Sequence, residues 1–478
     1  MRRFLPEDVS RRQFLSTFAV AFPSLAVGRM PFEAGAPGSV SSSNPGFELI
    51  PKEEKRTLLN NRFLTFATVI RVNQIEASRG QNLGQDETAL HTPEAVAAFR
   101  SAFARGWPDG RITWALSWLA LRADSAQYKA IRKLVAEYHA RFGDDVTFIP
   151  GGYFANAYST REQVNKDLHE GLALAAAIVG GGYRPKSVIA GFLAAENQRF
   201  LAENEGIHVC QGNIWSQYGV DNQDGDGSIC YPYYPSKEHF CKPAQAPEDF
   251  IDCVNLDGWT CDFLAAQRAA FAGGFNSRMG VGPIETIHGH GLEKGLREML
   301  HTTAIHFDKG FELNGFAWVT NIWEIVIGPE GLADWLSAVR QRWPGTRCIT
   351  HGEFGLLWRE HFKDNTPLDY RFVERGSGIG GSDADKGIRW LMNREFRLAL
   401  LRNWKNGGPE QVIDFTRYDL PAQEPRGLTR SWSLMGLINQ KQTRPQDRPV
   451  SMRELPLEDQ ERIVGKYPEL SSLLSPGA

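Results

Sequence analysis

Residues 182–205 read GYRPKSVIAGFLAAENQRFLAENE, and this stretch decides the fold. An apolar run over 187–193 ends in an acidic-polar turn at Glu196-Asn197, and a helical pattern follows at once. The same alternation of short apolar runs with amphipathic stretches recurs from about residue 60 to residue 360. Repeated strand–helix units predict a parallel α/β sheet or barrel, and about seven strand candidates favour a (β/α)7-type barrel.

The barrel is predicted to span 56–362, with helices at 92–105, 126–142 and 161–179. The predicted strands are its apolar runs, at 63–72, 111–118, 146–150, 187–193, 208–215, 316–320 and 347–350. A stretch rich in Gly, Pro, Tyr and Asp over 220–282 breaks the rhythm and is expected to form a structured excursion at one rim. After about 365 the helical repeats stop, so 363–478 is expected to form a smaller β-rich C-terminal domain and tail.

The N-terminus carries an export pattern. A paired arginine, Arg11-Arg12, stands directly before Gln13, and a mildly apolar run continues to residue 27. This pattern predicts a twin-arginine signal peptide over 1–36 and a flexible leader over 37–55, with a charged amphipathic helix as the alternative. The run is shorter than the roughly 20 apolar residues of a membrane anchor. We therefore expect the twin-arginine export machinery as a partner, and a periplasmic or secreted location.

Charge and cysteine content bound the remaining partners. Lys and Arg number 53 against 56 Asp and Glu, for a net charge of −3, so neither nucleic acid nor an anionic membrane surface is an expected partner. Six cysteines are present, five of them between positions 210 and 261, and none forms a Cys-x-x-Cys pair. Outside the cytoplasm this cluster would permit one or more disulfides, whereas its spacings do not suit a thiolate zinc site.

Two carboxylates carry the main functional hypothesis. Side chains at the carboxyl ends of barrel strands converge on one face, and Glu196 and Glu353 each follow a predicted strand. Hydrolysis of a glycosidic bond needs one carboxyl group to protonate the leaving oxygen and another to attack the anomeric carbon or activate water. We therefore predict Glu196 as nucleophile or base and Glu353 as acid. The alternatives are that Glu196 stabilises a helix N-terminus and that Glu353 forms a buried structural pair with His351.

Other polar and aromatic side chains near the strand ends suit sugar recognition. Amides and carboxyl groups bond hydroxyls, and indole rings offer flat apolar faces to pyranose rings, although tryptophan in a large α/β core more often packs. The predicted substrate-binding residues are Asn73, Gln74, Glu76, Asn197, Trp215, Trp318, Asn321, Glu324 and His351. The reserve acids, in or beside the excursion, are Asp252, Asp257 and Glu285.

The metal signals are weaker. Asp224 and Asp226 lie in an Asp-Gly segment with the oxygen-ligand rhythm of a calcium loop, but Tyr233 stands where its twelfth-position glutamate belongs. His288 and His290 flank a glycine and could bind zinc, yet no third ligand is obvious. We therefore expect no required cofactor, with a structural calcium ion as the alternative.

A family resemblance supports the same hypothesis. The stretch 151–221, with GYRPKSVIAGF (182–192), Glu196-Asn197 and LAENEGI (201–207), resembles the glycoside hydrolase/deacetylase barrel superfamily, especially its family 57 type. The resemblance implies a nucleophilic glutamate after the fourth strand, where Glu196 stands. Asn73-Gln74 is similar to that family's His-Gln-Pro motif. HGEFG (351–355) is similar to its Asp-x-Glu-x-x-Gly region, with His351 in place of the family's acidic aspartate.

Most of the chain also looks like a family of uncharacterised exported bacterial proteins. The deacetylase branch of the superfamily needs an Asp-Asp pair and a His-x-x-x-His pair, where this sequence has Val-Asn-Gln and Gly-Gly-Tyr-Phe-Ala-Asn. The resemblance thus implies an exported hydrolase of glycosidic bonds in an oligo- or polysaccharide. A non-catalytic carbohydrate-binding protein and a metal-dependent polysaccharide deacetylase or esterase remain the alternatives.

Overall fold

A computed structural model of the chain describes residues 60–77, 79, 83–191, 193–212, 227–257, 284–379, 382–429, 432–439 and 449–475. All of them belong to the second of two compact units, which begins at Glu53. The predicted signal peptide and leader, together with Trp215, Asp224 and Asp226, lie outside the described residues. The side chain of Glu285 lies outside them as well.

Eight parallel strands in the described part of the chain form two sheets. The strands are β1 (Arg62–Ile70), β2 (Thr113–Leu116), β3 (Asp145–Phe148), β4 (Val188–Ile189), β5 (Val209–Gln211), β6 (Val254–Asn255), β7 (Ala317–Ile322) and β8 (Arg347–Ile349). One sheet has the order β3-β2-β1-β7 with β8 also paired to β1, and the other has the order β4-β5-β6. The predicted parallel α/β architecture is confirmed. No strand pairing among the described residues joins the two sheets, so closure into a barrel stays a prediction.

The position of β8 decides where later residues lie. β7 pairs with β1 from Arg62 to Ala67, so β8 and β2 must share the other edge of β1. β8 takes the amino half of that edge, ending opposite Thr65, and β2 starts opposite Ala67. Residues that follow β8 therefore begin at the amino end of the sheet, and not at the end where the other strands finish.

Helices follow most strands, and five of the described α-helices begin at side-chain caps. Thr92, Ser117, Ser125, Thr160 and Thr350 each accept a hydrogen bond from a backbone N–H of the first turn. The described α-helices are α1 (Pro93–Gly106), α2 (Trp118–Arg122), α3 (Ala126–Phe142), α4 (Ala155–Tyr158), α5 (Arg161–Val179), α6 (Ala195–Phe200), α7 (Leu292–Ala304), α8 (Phe311–Asn314), α9 (Leu332–Arg342), α10 (His351–His361), α11 (Leu434–Asn439) and α12 (Leu457–Lys466). Among the described residues, no helix is long and apolar enough to cross a membrane.

The C-terminal part contains an antiparallel sheet, as predicted. Its strands are β9 (Asp369–Arg375), β10 (Lys386–Asn393), β11 (Phe396–Asn403) and β12 (Gln411–Arg417), in the order β12-β11-β10-β9. Tyr370 and Phe372 of β9 surround the ring of Tyr231, whose hydroxyl donates to the carbonyl oxygen of Trp318 in β7 (2.9 Å). The antiparallel sheet therefore packs beside the parallel one through a shared aromatic core.

The predicted disulfides do not form among the described cysteines. Cys210, Cys230, Cys241, Cys253 and Cys348 are all buried free thiols. Cys261 lies outside the described residues. Because burial raises the pKa of the Cys253 and Cys348 thiols, both stay protonated and behave as small apolar groups of the core.

Asp145, at the start of β3, makes stability depend on pH. Its Oδ1 accepts a hydrogen bond from the Tyr183 hydroxyl, Oδ2 bonds to no described residue, and burial raises the pKa of the carboxyl to about 6. The unfolded chain loses this proton near pH 4 and the folded chain near pH 6, so the carboxyl removes about 3 kcal/mol of stability between those values. In Asp145→Asn the free energy of unfolding, measured with urea at pH 4.5 and 7.0, should no longer fall between the two pH values. Asp124→Asn, at a side chain that is 96% exposed, is the control and should leave the fall in place.

Candidate active site

The carboxyl ends of β1 and β7 meet in a buried charged cluster. Arg71 follows β1, and its Nη2 donates to Glu324, which follows β7 (2.9 Å). Nε and Nη2 of the same guanidinium donate to the two oxygens of Glu87 (2.5 and 3.0 Å). All three side chains are less than a tenth exposed. One cation and two carboxylates therefore share a site almost without water at the end of the sheet.

Electrostatics keep Glu87 of this cluster ionised. Burial alone opposes the charge on Glu87, but the hydrogen bond with His91 and the nearby charge of Arg71 lower the pKa of its carboxyl to about 2. Tyr128 donates its hydroxyl to the Arg71 carbonyl oxygen (2.8 Å), and burial raises the pKa of that phenol to about 12. Arg71 is therefore held in place by hydrogen bonds to its guanidinium and by one to its backbone carbonyl oxygen.

The loop after β1 contains three of the predicted sugar-binding residues, Asn73, Gln74 and Glu76, and all three are buried. Glu76 accepts hydrogen bonds from the Ser117 hydroxyl (2.7 Å) and from the backbone N–H of Leu119 (3.0 Å). It therefore joins the loop to the first turn of α2. These contacts give Glu76 a structural role, and sugar binding by the three residues stays a prediction.

Glu196 lies at the carboxyl end of β4, in the first turn of α6, with its side chain 38% exposed. Nε of Arg161 is 4.0 Å from the carboxylate. The next residue, Asn197, is fully buried and bonds to Asn156 and Asn165. The structure thus presents the Glu196 carboxylate toward solvent while Asn197 faces the interior, where it has no access to a soluble ligand.

Glu353 lies at the other end of the strands. Its Oε2 accepts from the backbone N–H of Thr350 (3.1 Å), the Thr350 hydroxyl accepts from the Glu353 N–H (3.2 Å), and Oε1 pairs with Arg111. Arg111 precedes β2 and is level with Thr65, six residues or roughly 20 Å along β1 from Arg71. The prediction that Glu196 and Glu353 face each other across one pocket is therefore wrong, because β8 pairs with the amino half of β1.

An open cleft of about 520 Å³ lies at this amino end of the sheet, with the carboxylate of Glu353 on its wall. Arg111, Arg347, Asp109 and Glu360 also line it, so acidic and basic side chains are both present. The cleft is therefore separate from the cluster formed by Arg71, and an active site there would use different carboxylates.

Three further predicted sugar-binding residues belong to the core. Trp318 is 1% exposed, stacks on Phe354 at 5.1 Å and donates its indole N–H to Thr65. Asn321 is in register with Phe66, whose ring packs against α1 and α9, so it faces the helices. His351 is fully buried at 2.9 Å from Thr320, and burial lowers its pKa to about 3. None of the three contacts a soluble ligand from these positions, so these predictions are wrong.

The reserve acids are divided between the two ends of β6. Asp252 precedes the strand and pairs with Arg359 at a partly exposed site (2.5 Å). Asp257 follows it and is fully buried, where it accepts from the Ser228 hydroxyl. His288 is exposed. In the described parts of the chain, no three His, Cys, Asp or Glu side chains are grouped to hold a metal ion.

Sequence reasoning missed Arg71 and Glu87. The available signal was the position of Arg71, directly after eight buried residues of β1. A charged side chain at such a position needs a buried partner of opposite charge. That partner could not be named beforehand, because the Arg71–Glu324 contact joins residues 253 positions apart.

Residues 56–392 match the model of a domain of unknown function with a solved structure, DUF3863, and residues 397–470 match a second such domain, DUF3864. Because the first match covers more than half of the sequence, the chain belongs to the DUF3863 family. A search of curated proteins finds no match. A crystal structure from Parabacteroides distasonis, provisionally assigned as a glycoside hydrolase/deacetylase, is 50% identical, with a TM-score of 0.81 over 87% of this chain and 100% of that one.

Two more distant structures also match. A provisionally assigned polysaccharide deacetylase from Mycobacterium smegmatis is 12% identical, with a TM-score of 0.39 over 65% of this chain and 96% of that one. A GH57 branching enzyme from Thermococcus kodakaraensis is 11% identical, with a TM-score of 0.36 over 62% and 71% of the two chains.

Proposed function

We propose that the protein is a carbohydrate-active hydrolase that cleaves a glycosidic bond at the carboxyl ends of its parallel strands. The observation that carries the proposal is that a carboxylate follows a parallel strand in each of the two sheets, Glu196 after β4 and Glu324 after β7. The assignment of the P. distasonis relative, at 50% identity, supports the substrate class. Glu324 replaces Glu353 as the second carboxylate, because Glu353 lies at the amino end and caps α10.

The contacts of the two carboxylates suggest how they divide the work. Glu196 is partly exposed, lies with its carboxylate 4.0 Å from Nε of Arg161, and acts as nucleophile or base. In the buried cluster Glu324 accepts a hydrogen bond from Nη2 of Arg71 (2.9 Å), and this contact stabilises the carboxylate that remains once the group has given up a proton. We assign to Glu324, in its protonated form, the delivery of a proton to the leaving oxygen.

The test is release of reducing sugar from a polysaccharide panel by the wild type, Glu196→Gln, Glu324→Gln and Glu353→Gln. The first two variants should lose activity by about 100-fold or more, because each removes one of the two reacting groups. Glu353→Gln should keep activity within a few-fold and lose no more than about 1 kcal/mol of stability, because glutamine keeps the hydrogen bond of the capping box and loses only the ion pair with Arg111. Circular dichroism of all four proteins checks that they are folded.

Each contrary result has a separate meaning. Loss of activity in Glu353→Gln alone would move the active site to the amino-end cleft. A wild type that binds glycans without cutting them would be the carbohydrate-binding protein of the alternative hypothesis. Release of acetate from acetylated glycans without new reducing ends would make it a deacetylase.

A further inference from the structure

The first residue of the helix that contains Glu196 donates its backbone N–H to a carboxylate from the C-terminal part of the chain. Oε1 of Glu424 accepts hydrogen bonds from the backbone N–H of Ala195 and from that of Phe240, each at 2.8 Å. Ala195 and Glu424 are 229 positions apart. Glu424 is 9% exposed and lies beyond β12. A buried acid after the antiparallel sheet thus holds the residue next to the proposed nucleophile.

The same carboxylate also holds the cation beside Glu196. Oε2 of Glu424 accepts from Nη2 of Arg161 (2.9 Å), and the carbonyl oxygen of Pro425 accepts from the same nitrogen (3.0 Å). Nε of Arg161 is the atom that approaches Glu196, at 4.0 Å. Arg161 therefore stands between two carboxylates, one buried and one partly exposed.

The rest of the α6 start is fixed by amides. Asn156 accepts from the backbone N–H of Ala194 (2.9 Å) and donates to the side chain of Asn197 (2.8 Å). The Asn197 amide also donates to the carbonyl oxygen of Arg161 (2.9 Å). With the backbone held on both sides, Glu196 has little freedom except in its own side chain.

We propose that Glu424 is a positioning residue for Glu196: it fixes the first turn of α6 and shares the charge of Arg161. The inference rests on the proposed function, and it makes the C-terminal part of the chain a component of the active site. It also explains why a carboxylate with two backbone donors and a guanidinium lies buried at this position, when an apolar side chain would fill the space at a lower desolvation cost.

The charges around Glu424 predict the effect of its removal. The charged and titratable groups that face it are Arg161 of α5, Glu196 of α6, and Glu238, His239 and Lys242 of the segment 236–242. Lys242 and Glu238 pair at 2.6 Å and offset each other, and burial lowers the pKa of His239 to about 3, so it is neutral. Without Glu424, Glu196 is therefore the remaining counter-charge of Arg161.

The experiment compares Glu424→Gln with the wild type. We expect kcat to fall about 10- to 100-fold with KM nearly unchanged, since displacement of one reacting group affects the transition state more than binding. The acidic limb of the pH–rate profile should move to lower pH by about 0.5–1 unit, because the variant leaves Arg161 with one carboxylate fewer beside it. Glu424→Asp, which keeps the charge, should restore the limb.

Glu410→Gln is the matched control, because Glu410 is also buried at 9% exposure and pairs with an arginine, Arg389 of β10. It should lower the melting temperature and leave the pH profile in place. If Glu424→Gln behaves in the same way as this control, the positioning role is overturned.

Hydrogen exchange keeps the inference separate from the proposed function. Glu424→Gln should speed exchange in residues 194–200, while Glu410→Gln should not. If Glu196→Gln leaves turnover intact or no substrate is cut, the proposed function fails. Unchanged exchange at 194–200 in Glu424→Gln would then overturn the positioning of α6 as well.

Discussion

Arg71→Met is expected to lower the free energy of unfolding by about 3–5 kcal/mol, because it leaves Glu87 and Glu324 buried without their cation. Methionine fills much of the space of the arginine stem, so lost packing is a small part of the effect. Urea unfolding at pH 7, followed by circular dichroism, measures the change.

The pH dependence of this variant identifies the cause. In the wild type the pKa of Glu87 is about 2, so its contribution to stability is present above about pH 4.5 and is lost as the pH falls toward 2. Without Arg71 the buried carboxylates are costly only while ionised, so the destabilisation should shrink between pH 7 and pH 4.

The triple variant Arg71→Met/Glu87→Gln/Glu324→Gln is the internal control. It removes the two carboxylates together with the cation and should recover part of the loss at pH 7. Equal loss at both pH values, with no recovery in the triple variant, would show that packing rather than charge makes Arg71 important.

Local patterns in the sequence were sufficient for the elements themselves. The predicted helices at 126–142 and 161–179 agree with α3 and α5, because Ser125 and Thr160 cap their starts and Gly143 and Gly180 end them. The predicted strand at 63–72 agrees with β1 to within two residues, since a continuous apolar run suits a strand covered on both faces.

The candidate site was harder to predict, because it depends on the end of the sheet at which the residues after each strand lie. Nothing local distinguishes β8 from the other strands, and only its register on β1 places Glu353 at the amino end. One signal was available: Thr350 and Glu353 have the spacing of a capping box, and the structure contains both of its hydrogen bonds. The contacts of Arg71 and Glu424 join distant residues and leave no such trace.

Trp318→Ala is expected to cost about 3–5 kcal/mol of stability and not to act through substrate affinity. The side chain is 1% exposed, stacks on Phe354 and meets the ring of Tyr231 edge-on at 5.8 Å. Removing the indole leaves a cavity among these rings, and the Thr65 hydroxyl loses the hydrogen bond that the indole N–H donates to it.

Two further variants and two measurements distinguish a core tryptophan from a sugar platform. Trp318→Phe keeps most of the ring and should cost about 1–2 kcal/mol, whereas Leu457→Ala, at a side chain that is 74% exposed, should change stability very little. Melting temperature and KM are measured for all of them. A platform would raise KM in Trp318→Ala with the melting temperature unchanged. If Trp318 is a core residue, the melting temperature is lowest in Trp318→Ala, higher in Trp318→Phe and highest in the wild type. KM of the folded fraction is then unaltered, because the ring is buried.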